Sequence, residues 1–200
     1  MTGSDGIDLA SWGVKSGGEI RWLEKNNVIT GNSSNNILRG GSGNDSLKAG
    51  AGADTLDGGA GNDYLEGSTG NDLYLFGRGY GQDTIKDYDT TSGNTDTVKF
   101  NSGLNPIDLI LAKSGNNLKI QINNSSDLLT VQNQNDSTAY HAEVFEVSDG
   151  NRLLASSVNL LIQAMAEFSA ENNGMSWTQL IQEKPTDVQQ ILAQYWQPPQ

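Results

Sequence analysis

The chain has 200 residues, of which 35% are hydrophobic, and it carries a formal net charge of −12 at pH 7. This length allows one or two small domains, and a charge this negative argues against nucleic acid or an anionic membrane as a binding partner. The sequence contains no cysteine, which excludes disulfide bonds and thiolate metal sites. What remains is either a cation-binding protein or a disordered one.

Residues 1–30 form an amino-terminal flank with a broken, glycine-rich stretch at 3–9 and a strand-like run at 20–23. The first residues show no basic segment followed by an apolar stretch, so we expect no cleaved secretory signal here. No apolar run approaches the roughly 20 residues of a transmembrane helix. The sequence therefore predicts a protein that is either cytosolic or exported by a route that does not read the amino terminus.

Residues 31–86, here called the array, contain a nine-residue repeat of the form G-G-x-G-x-D-x-U-x, in which U is a large apolar residue. Four units are in register and place aspartates nine residues apart: Asp45, Asp54, Asp63 and Asp72. A degenerate unit containing Asn36 precedes them, and an irregular unit containing Asp83 follows the two-residue insertion Phe76-Gly77. Nine acidic and three basic residues lie between positions 45 and 89, which accounts for half of the net charge.

Residues 87–155, here called the cap, lose most of the glycine and gain short β patterns. The candidate strands are 97–100, 109–112, 118–122, 128–131 and 143–147. The run at 118–122 alternates strictly between apolar and polar residues, as a half-buried strand does. We therefore expect a β-rich segment after the array.

Residues 156–200, here called the tail, switch to the period of a helix. The apolar stripe consists of Val158, Leu161, Ile162, Met165 and Phe168. We expect Ser156 or Ser157 to cap this helix. A second helical stretch carries Trp177, and Pro185 interrupts it.

The array pattern resembles the calcium-binding nonapeptide repeat of RTX proteins, which wind it into a parallel β-roll. The segment at 70–85 resembles the end of such arrays in haemolysin-type toxins, the segment at 145–150 resembles their flanking cap, and the stretch at 158–168 is like their carboxy-terminal tails. The resemblance implies a mainly β fold, in which a parallel β-roll is followed by a β-rich capping segment and carboxy-terminal helices. It also implies export by the type I secretion machinery, which reads an uncleaved signal near the carboxy terminus, and folding outside the cell.

In an RTX-like β-roll two nonapeptides make one coil, which would place Asp45 above Asp63 and Asp54 above Asp72. Like charges that close repel each other, and a hard divalent cation between them reverses the sign of the interaction. Calcium accepts six or more oxygen ligands in a loose geometry, whereas magnesium demands a tighter octahedron. Zinc is disfavoured because cysteine is absent and His141 is the only histidine.

We therefore expect several calcium ions in the turns, held by the carboxylates of the aligned aspartates. Asn36 with Asp54 and Asp63 with Asp83 are weaker candidate pairs, because Asn brings no charge and the insertion disturbs the register of Asp83. Turn carbonyl groups would complete the sites: Gly40, Ser42, Gly43, Asn44, Gly50, Gly52, Gly58, Ala60, Gly61, Asn62, Gly67 and Gly70. The side chains at position eight would point inward as an apolar ladder: Leu38, Leu47, Leu56, Leu65, Tyr74 and Ile85.

A catalytic triad of His141, Asp136 and Ser137 is not expected, because these residues crowd one loop and the sequence has no G-x-S-x-G elbow. The expected function is a non-enzymatic calcium-binding module that is disordered without calcium and folds on calcium binding after secretion. Such a module would stabilise and export a larger toxin-like protein. Two alternatives stay open: the calcium-dependent adhesive or partner-binding tip of a large RTX protein, or the RTX tail of a secreted hydrolase.

RTX toxins carry large effector regions before the array, and this chain has none. We therefore expect it to be the carboxy-terminal part of a longer protein. Any receptor on a host cell or surface would then be contacted by the upstream region.

Overall fold

The computed structural model describes residues 5–8, 19–21, 25–89, 91, 93–134 and 142–199, with side chains described from residue 25 onward. Trp12 and Trp22, together with the loop that contains Asp136, Ser137 and His141, lie outside the described residues.

The array is built from short strands that alternate between two sheets. The strands before and within it are β1 (Asp5–Asp8), β2 (Glu19–Arg21), β3 (Asn27–Thr30), β4 (Ile37–Ser42), β5 (Ser46–Ala51), β6 (Thr55–Ala60), β7 (Tyr64–Thr69), β8 (Leu73–Phe76) and β9 (Gln82–Ile85). Odd-numbered strands stack in parallel in one sheet and even-numbered strands stack in parallel in the other. Ser46 pairs with Tyr64 and Thr55 pairs with Leu73, so successive strands of one sheet are 18 residues apart. Two nonapeptides therefore make one coil, and the fold is a parallel β-roll.

The apolar side chain at position eight of each unit points between the two sheets. The ladder consists of Leu38, Leu47, Leu56, Leu65, Tyr74 and Ile85, all of them without solvent exposure. This agrees with the inward ladder that the sequence predicts. The interior of the roll is only one such side chain wide on each sheet, so it buries little apolar surface for its length.

The insertion Phe76-Gly77 is absorbed in the turn between β8 and β9. The register changes there from 18 to 20 residues, since Tyr64 pairs with Thr84. The Asp127 carboxylate, which comes from the cap, holds this turn by accepting hydrogen bonds from the N–H groups of Gly79 and Gly81 at 3.0 and 2.9 Å. The strand after the insertion therefore stays aligned with the roll.

The cap extends both sheets of the roll. Its strands are β10 (Thr97–Phe100), β11 (Leu109–Ser114), β12 (Asn117–Ile122), β13 (Leu128–Val131), β14 (Val144–Glu146) and β15 (Arg152–Leu154). β13 pairs in parallel with β9, and β12 and β11 follow it antiparallel. On the other sheet β10 and β14 continue the parallel order from β8, and β15 ends it antiparallel. Both sheets of the array thus continue into the cap through backbone hydrogen bonds at its carboxy-terminal end.

The tail forms three helices, α1 (Ala155–Glu171), α2 (Trp177–Glu183) and α3 (Pro185–Leu192). Val158, Leu161 and Met165 bury the predicted face of α1. Pro185 stands at the first position of α3, where its missing N–H costs nothing. Among the described residues no helix is both long and apolar enough to cross a membrane.

The predicted cap of α1 by Ser156 or Ser157 is wrong. Leu154 occupies the N-cap position and no side chain caps the helix there. The reason is that β15 runs directly into α1, so the Ala155 N–H donates to the carbonyl oxygen of Glu143 in the neighbouring strand at 2.8 Å. The helix therefore begins before either serine, and both serines lie inside its first turn instead of at the N-cap position.

Candidate calcium-binding turns

Each turn aspartate of the array lies just before a strand and reaches back to the preceding coil of its own sheet. On one edge Asp63 Oδ1 accepts a hydrogen bond from the Asp45 N–H at 2.7 Å, and Asp83 Oδ1 accepts one from the Asp63 N–H at 2.9 Å. On the other edge Asp72 Oδ1 accepts from the Asp54 N–H at 2.8 Å. The stack thus brings together the pairs Asp45 with Asp63, Asp54 with Asp72 and Asp63 with Asp83.

Asn36 takes the place of an aspartate at the start of one edge. Its N–H donates to Asp54 Oδ1 at 2.6 Å, as an aspartate in that position would. Its own side-chain oxygen, however, accepts from the Asn32 N–H at 2.9 Å within its own turn. The Asn36 side chain therefore contributes no charge and has a local partner.

The second carboxylate oxygen of every turn aspartate is buried and unpaired. The atoms without a hydrogen-bond partner are the Oδ2 atoms of Asp45, Asp54, Asp63, Asp72 and Asp83. These residues are no more than 3% exposed. A buried, unpaired carboxylate oxygen is strongly unfavourable, whereas the same atom is a good ligand for a hard cation.

Acidic side chains outside the turns behave differently. Asp57 pairs with Arg39 at 2.8 Å, and Glu66 pairs with Lys48 at 3.7 Å, in both cases across one coil. None of the ion pairs formed within the described residues includes a turn aspartate. The turn charges are therefore left for a partner that the polypeptide does not supply.

Burial and mutual repulsion disfavour the ionised form of these aspartates. Burial raises the pKa of Asp54 and of Asp63 to about 6, although a backbone N–H group in each case opposes the shift. Burial and the charge of Asp54 raise the pKa of Asp72 to about 7. Burial and the charge of Asp63 raise the pKa of Asp83 to about 8. A cation beside these carboxylates would stabilise their ionised form and so oppose the shifts.

Glycine at the first position of the unit keeps space open beside the free oxygen. A Cβ atom at Gly40, Gly58 or Gly67 would collide with the Oδ2 atom of the aspartate five residues later. Ala49 stands at the equivalent position before Asp54 and is itself fully buried. Three of the five free carboxylate oxygens, those of Asp45, Asp63 and Asp72, therefore have a glycine beside them.

Glycine at the fourth position allows the turns to stack closely. Gly61 has a φ of +152°, and a Cβ atom there would collide with the carbonyl oxygen of Gly43 in the next coil. Its N–H donates to the Tyr80 carbonyl oxygen at 2.8 Å. The backbone of one turn thus lies directly against the carbonyl groups of its neighbour.

The residues whose carbonyl groups are candidate ligands all lie in or next to these turns. Gly40, Ser42, Gly50, Gly58, Ala60 and Gly67 lie in the second half of strands β4 to β7, and Gly43, Asn44, Gly52, Gly61, Asn62 and Gly70 lie in the connections between strands. Within the described part of the chain no group of three or more acidic or histidine side chains forms a ready metal cage. A cation here would therefore take most of its ligands from main-chain oxygens, which suits calcium.

Sequence reasoning missed several residues that belong to the same rows. Asp96 Oδ1 accepts from the Asp72 N–H at 2.7 Å, and Glu143 Oε2 accepts from the Asp96 N–H at 2.7 Å. At the other edge the Asn27 N–H donates to Asp45 Oδ1 at 2.7 Å. The signal was present, because Asp96 and Glu143 each precede a polar or small apolar residue and then a buried apolar one, as in D-x-U.

Comparison with known proteins gives two matches to families. The family described as RTX calcium-binding nonapeptide repeat (4 copies) matches residues 23–47, 39–74 and 48–85. The haemolysin-type calcium binding protein related domain matches residues 117–156, which include β12 to β15.

The chain is also similar to the iron-regulated protein FrpA of Neisseria meningitidis serogroup C. The two are 40% identical over 99 residues, which is 48% of this chain and 9% of that protein. The chain thus matches less than a tenth of the length of this relative.

Proposed function

Because the chain is an RTX protein, with haemolysin-type calcium-binding repeats followed by a domain of the related family, we propose that its repeats are a calcium-dependent folding switch that acts after secretion. The coarser function, a calcium-binding module of a secreted RTX protein, follows from the family itself. The single observation that carries the finer proposal is the set of five buried Oδ2 atoms without a partner.

Without calcium the array has little to hold it together. Its apolar ladder is narrow, and every coil adds a buried carboxylate close to another of the same charge. Glycine-rich, acidic segments that bury little apolar surface stay disordered. With calcium in the turns the repulsion becomes attraction, and the free energy of binding becomes free energy of folding.

The carboxylates of Asp45, Asp54, Asp63, Asp72 and Asp83 would bind the ions together with carbonyl groups of the turns. When bound, calcium supplies positive charge between neighbouring coils. The chain's own part is to hold each Oδ1 atom on a backbone N–H and to present Oδ2 in the space that glycine leaves open. This is a binding arrangement, since the carboxylates face the backbone of the next coil instead of a substrate cleft.

The calcium gradient across the cell envelope would time the folding. Extracellular calcium modules bind in the range of about 10⁻⁴–10⁻³ M, which is far above the free calcium of a cytosol. The array would stay unfolded inside the cell and pass the type I secretion machinery as an extended chain. It would then fold outside and stabilise the larger toxin-like protein that we propose it belongs to.

Asp63→Ala tests this proposal at the residue with the most shared contacts. Asp63 lies between Asp45 and Asp83 and is bonded to both, so one substitution removes a ligand from two sites. We expect the calcium concentration at the midpoint of folding to rise about tenfold or more, given about 1.4 kcal/mol per factor of ten.

Asp187→Ala, at an exposed position in α3, is the matched control and should leave the midpoint unchanged. Far-UV circular dichroism during calcium titration gives the midpoint for each variant. A midpoint for Asp63→Ala equal to that of the unmodified chain would refute the stacking scheme.

A further inference from the structure

The row of carboxylates does not stop at the last repeat. Thr97 pairs with Leu73 and with Val144, so Asp96 and Glu143 occupy the same position in the cap strands as Asp72 does in the array. They lie 24 residues and a further 47 residues along the chain and are outside the nonapeptide pattern. The cap therefore presents acidic side chains to the array across the last coil.

Asp87 is buried beside this end of the row. It is 1% exposed, and neither of its carboxylate oxygens has a hydrogen-bond partner. It belongs to the connection that leaves β9 in one sheet and enters β10 in the other. An aspartate with two buried, unpaired oxygens costs more than the turn aspartates do, since each of those keeps one oxygen bonded.

The surroundings of Asp87 are acidic and polar. Burial and the charges of Asp72 and Glu143 raise the pKa of Asp87, while the neighbouring Asp96 carboxyl and Tyr74 hydroxyl oppose the rise as donors that lie close to it without a hydrogen bond of regular geometry. Tyr74 stands where the other units have leucine or isoleucine, and its hydroxyl accepts a hydrogen bond from the Gly67 N–H at 2.9 Å. Tyrosine in the ladder thus places a polar atom where the other units have only carbon.

Asp87 and Asp96 are adjacent acidic side chains, and burial disfavours a negative charge on either of them. Burial, followed by their mutual interaction, raises the pKa of Asp96, and burial together with the charge of Asp72 raises the pKa of Asp87. At neutral pH and without a cation the raised pKa leaves Asp96 protonated, so a proton shared with Asp87 is what relieves the pair, and a divalent cation would take the place of that proton.

We propose that Asp87 and Asp96 bind a divalent cation of the calcium class at the junction of array and cap, at a site outside the repeats. The free Oδ2 atom of Asp72 lies on the same row as a further oxygen donor, although the three carboxylates do not by themselves form a ready cage. Main-chain oxygens complete the shell, as in the turns. The donors are all oxygen atoms, which favours calcium over zinc, and their origin in three separate segments favours calcium over the rigid octahedron of magnesium.

Such an ion would fasten the cap to the roll. Asp72 belongs to the array, Asp87 to the crossing between sheets and Asp96 to the first cap strand of its sheet. The contact between the cap and the last coil would therefore be complete only when the ion is bound. The junction site rests on the proposed folding switch and binds the same metal, but its principal ligands are different residues.

Native mass spectrometry of the full chain, saturated with calcium, counts the bound ions. Asp87→Asn keeps the shape of the side chain and removes its charge, and we expect it to bind one ion fewer than the unmodified chain. Glu183→Gln, at an exposed position at the end of α2, is the control and should bind the full number. An unchanged count for Asp87→Asn overturns the proposal.

A double variant, Asp45→Asn with Asp63→Asn, separates this inference from the proposed function. If the double variant loses ions and Asp87→Asn loses none, the junction site is refuted and the array sites stand. If Asp87→Asn loses one ion and the double variant loses none, the array proposal is refuted and the junction site stands.

Crystals of the unmodified chain grown with calcium give a readout that depends on no variant. Anomalous scattering from calcium should give a peak between the carboxylates of Asp87 and Asp96. Peaks in the array turns without a peak at this position would overturn the proposal even if Asp87→Asn failed to fold.

Discussion

The array and the cap use the same sheets but are stabilised in different ways. In the array each of the strands β5 to β9 buries an apolar ladder side chain close to one aspartate with an unpaired oxygen. The cap buries alternating side chains of β12, namely Leu118, Ile120 and Ile122, and α1 packs against β11 and β15. A continuous sheet can thus join an array that depends on an external cation to a cap that depends on hydrophobic packing.

The largest effect should come from acidifying the calcium-free chain, because several carboxylates respond together. Their pKa values in the folded roll are raised above the ordinary value of 3.8, to about 6 for Asp54 and Asp63, about 7 for Asp72 and about 8 for Asp83. A raised pKa means that the folded array binds protons more tightly than the unfolded one. Its folding is therefore favoured at low pH and weakens as the pH rises from about 4 to about 8.

Circular dichroism in calcium-free buffer from pH 8 down to pH 5 measures this effect, and β signal should increase on acidification. The cap lacks such a row along most of its length, so hydrogen exchange in cap strands should respond less. Loss of β signal on acidification would contradict the picture of repelling carboxylates.

Two substitutions, each of which replaces a buried aliphatic side chain by alanine, compare the array with the cap. Leu56→Ala removes a fully buried side chain from the array, and Ile120→Ala removes one that is 1% exposed from the cap. Each should lower the free energy of unfolding in calcium by about 2–5 kcal/mol. Hydrogen exchange, resolved by peptide, should show the greater loss of protection in β4 to β8 for Leu56→Ala and in β11 to β13 for Ile120→Ala. Equal loss in both regions for both variants would mean that array and cap unfold as one unit.

A smaller effect should follow from filling the space beside one carboxylate. The Cβ atom of Gly58→Ala would collide with Asp63 Oδ2, and we expect a loss of about 1–3 kcal/mol of folding free energy in calcium. Ala49→Gly is the reverse change at the equivalent position before Asp54 and should lower the calcium concentration needed for folding. Calcium titrations of both variants check this, and shifts of the same sign would show that glycine at this position does not serve the site.

Much of the array could be predicted from sequence because its spacing is strict. The nine-residue period defines which side chains point inward and which aspartates share an edge, and the register of 18 residues follows once two units make a coil. The position of Asp83 in the stack was harder to predict. Sequence alone does not show that Asp127, 44 residues later in the chain, closes the turn that absorbs the insertion.

The junction could not be predicted in the same way. Asp96 and Glu143 join the row through long connections that have no repeat, and the burial of Asp87 depends on how the chain crosses between sheets. The predicted helix cap was wrong for a related reason, because pairing of β15 and of the Ala155 N–H with the chain near Glu143 starts the helix before the two serines. Local patterns predict local partners, and these residues have distant ones.

The central claim is that calcium converts a repulsive stack into a folded roll. Far-UV circular dichroism of the full chain, first in chelator and then with calcium added in steps, tests it most directly, with magnesium at the same concentrations as control. We expect a coil-like spectrum in chelator, a cooperative gain of β signal with calcium and no such gain with magnesium. A β-rich spectrum in chelator at neutral pH that calcium leaves unchanged would contradict it.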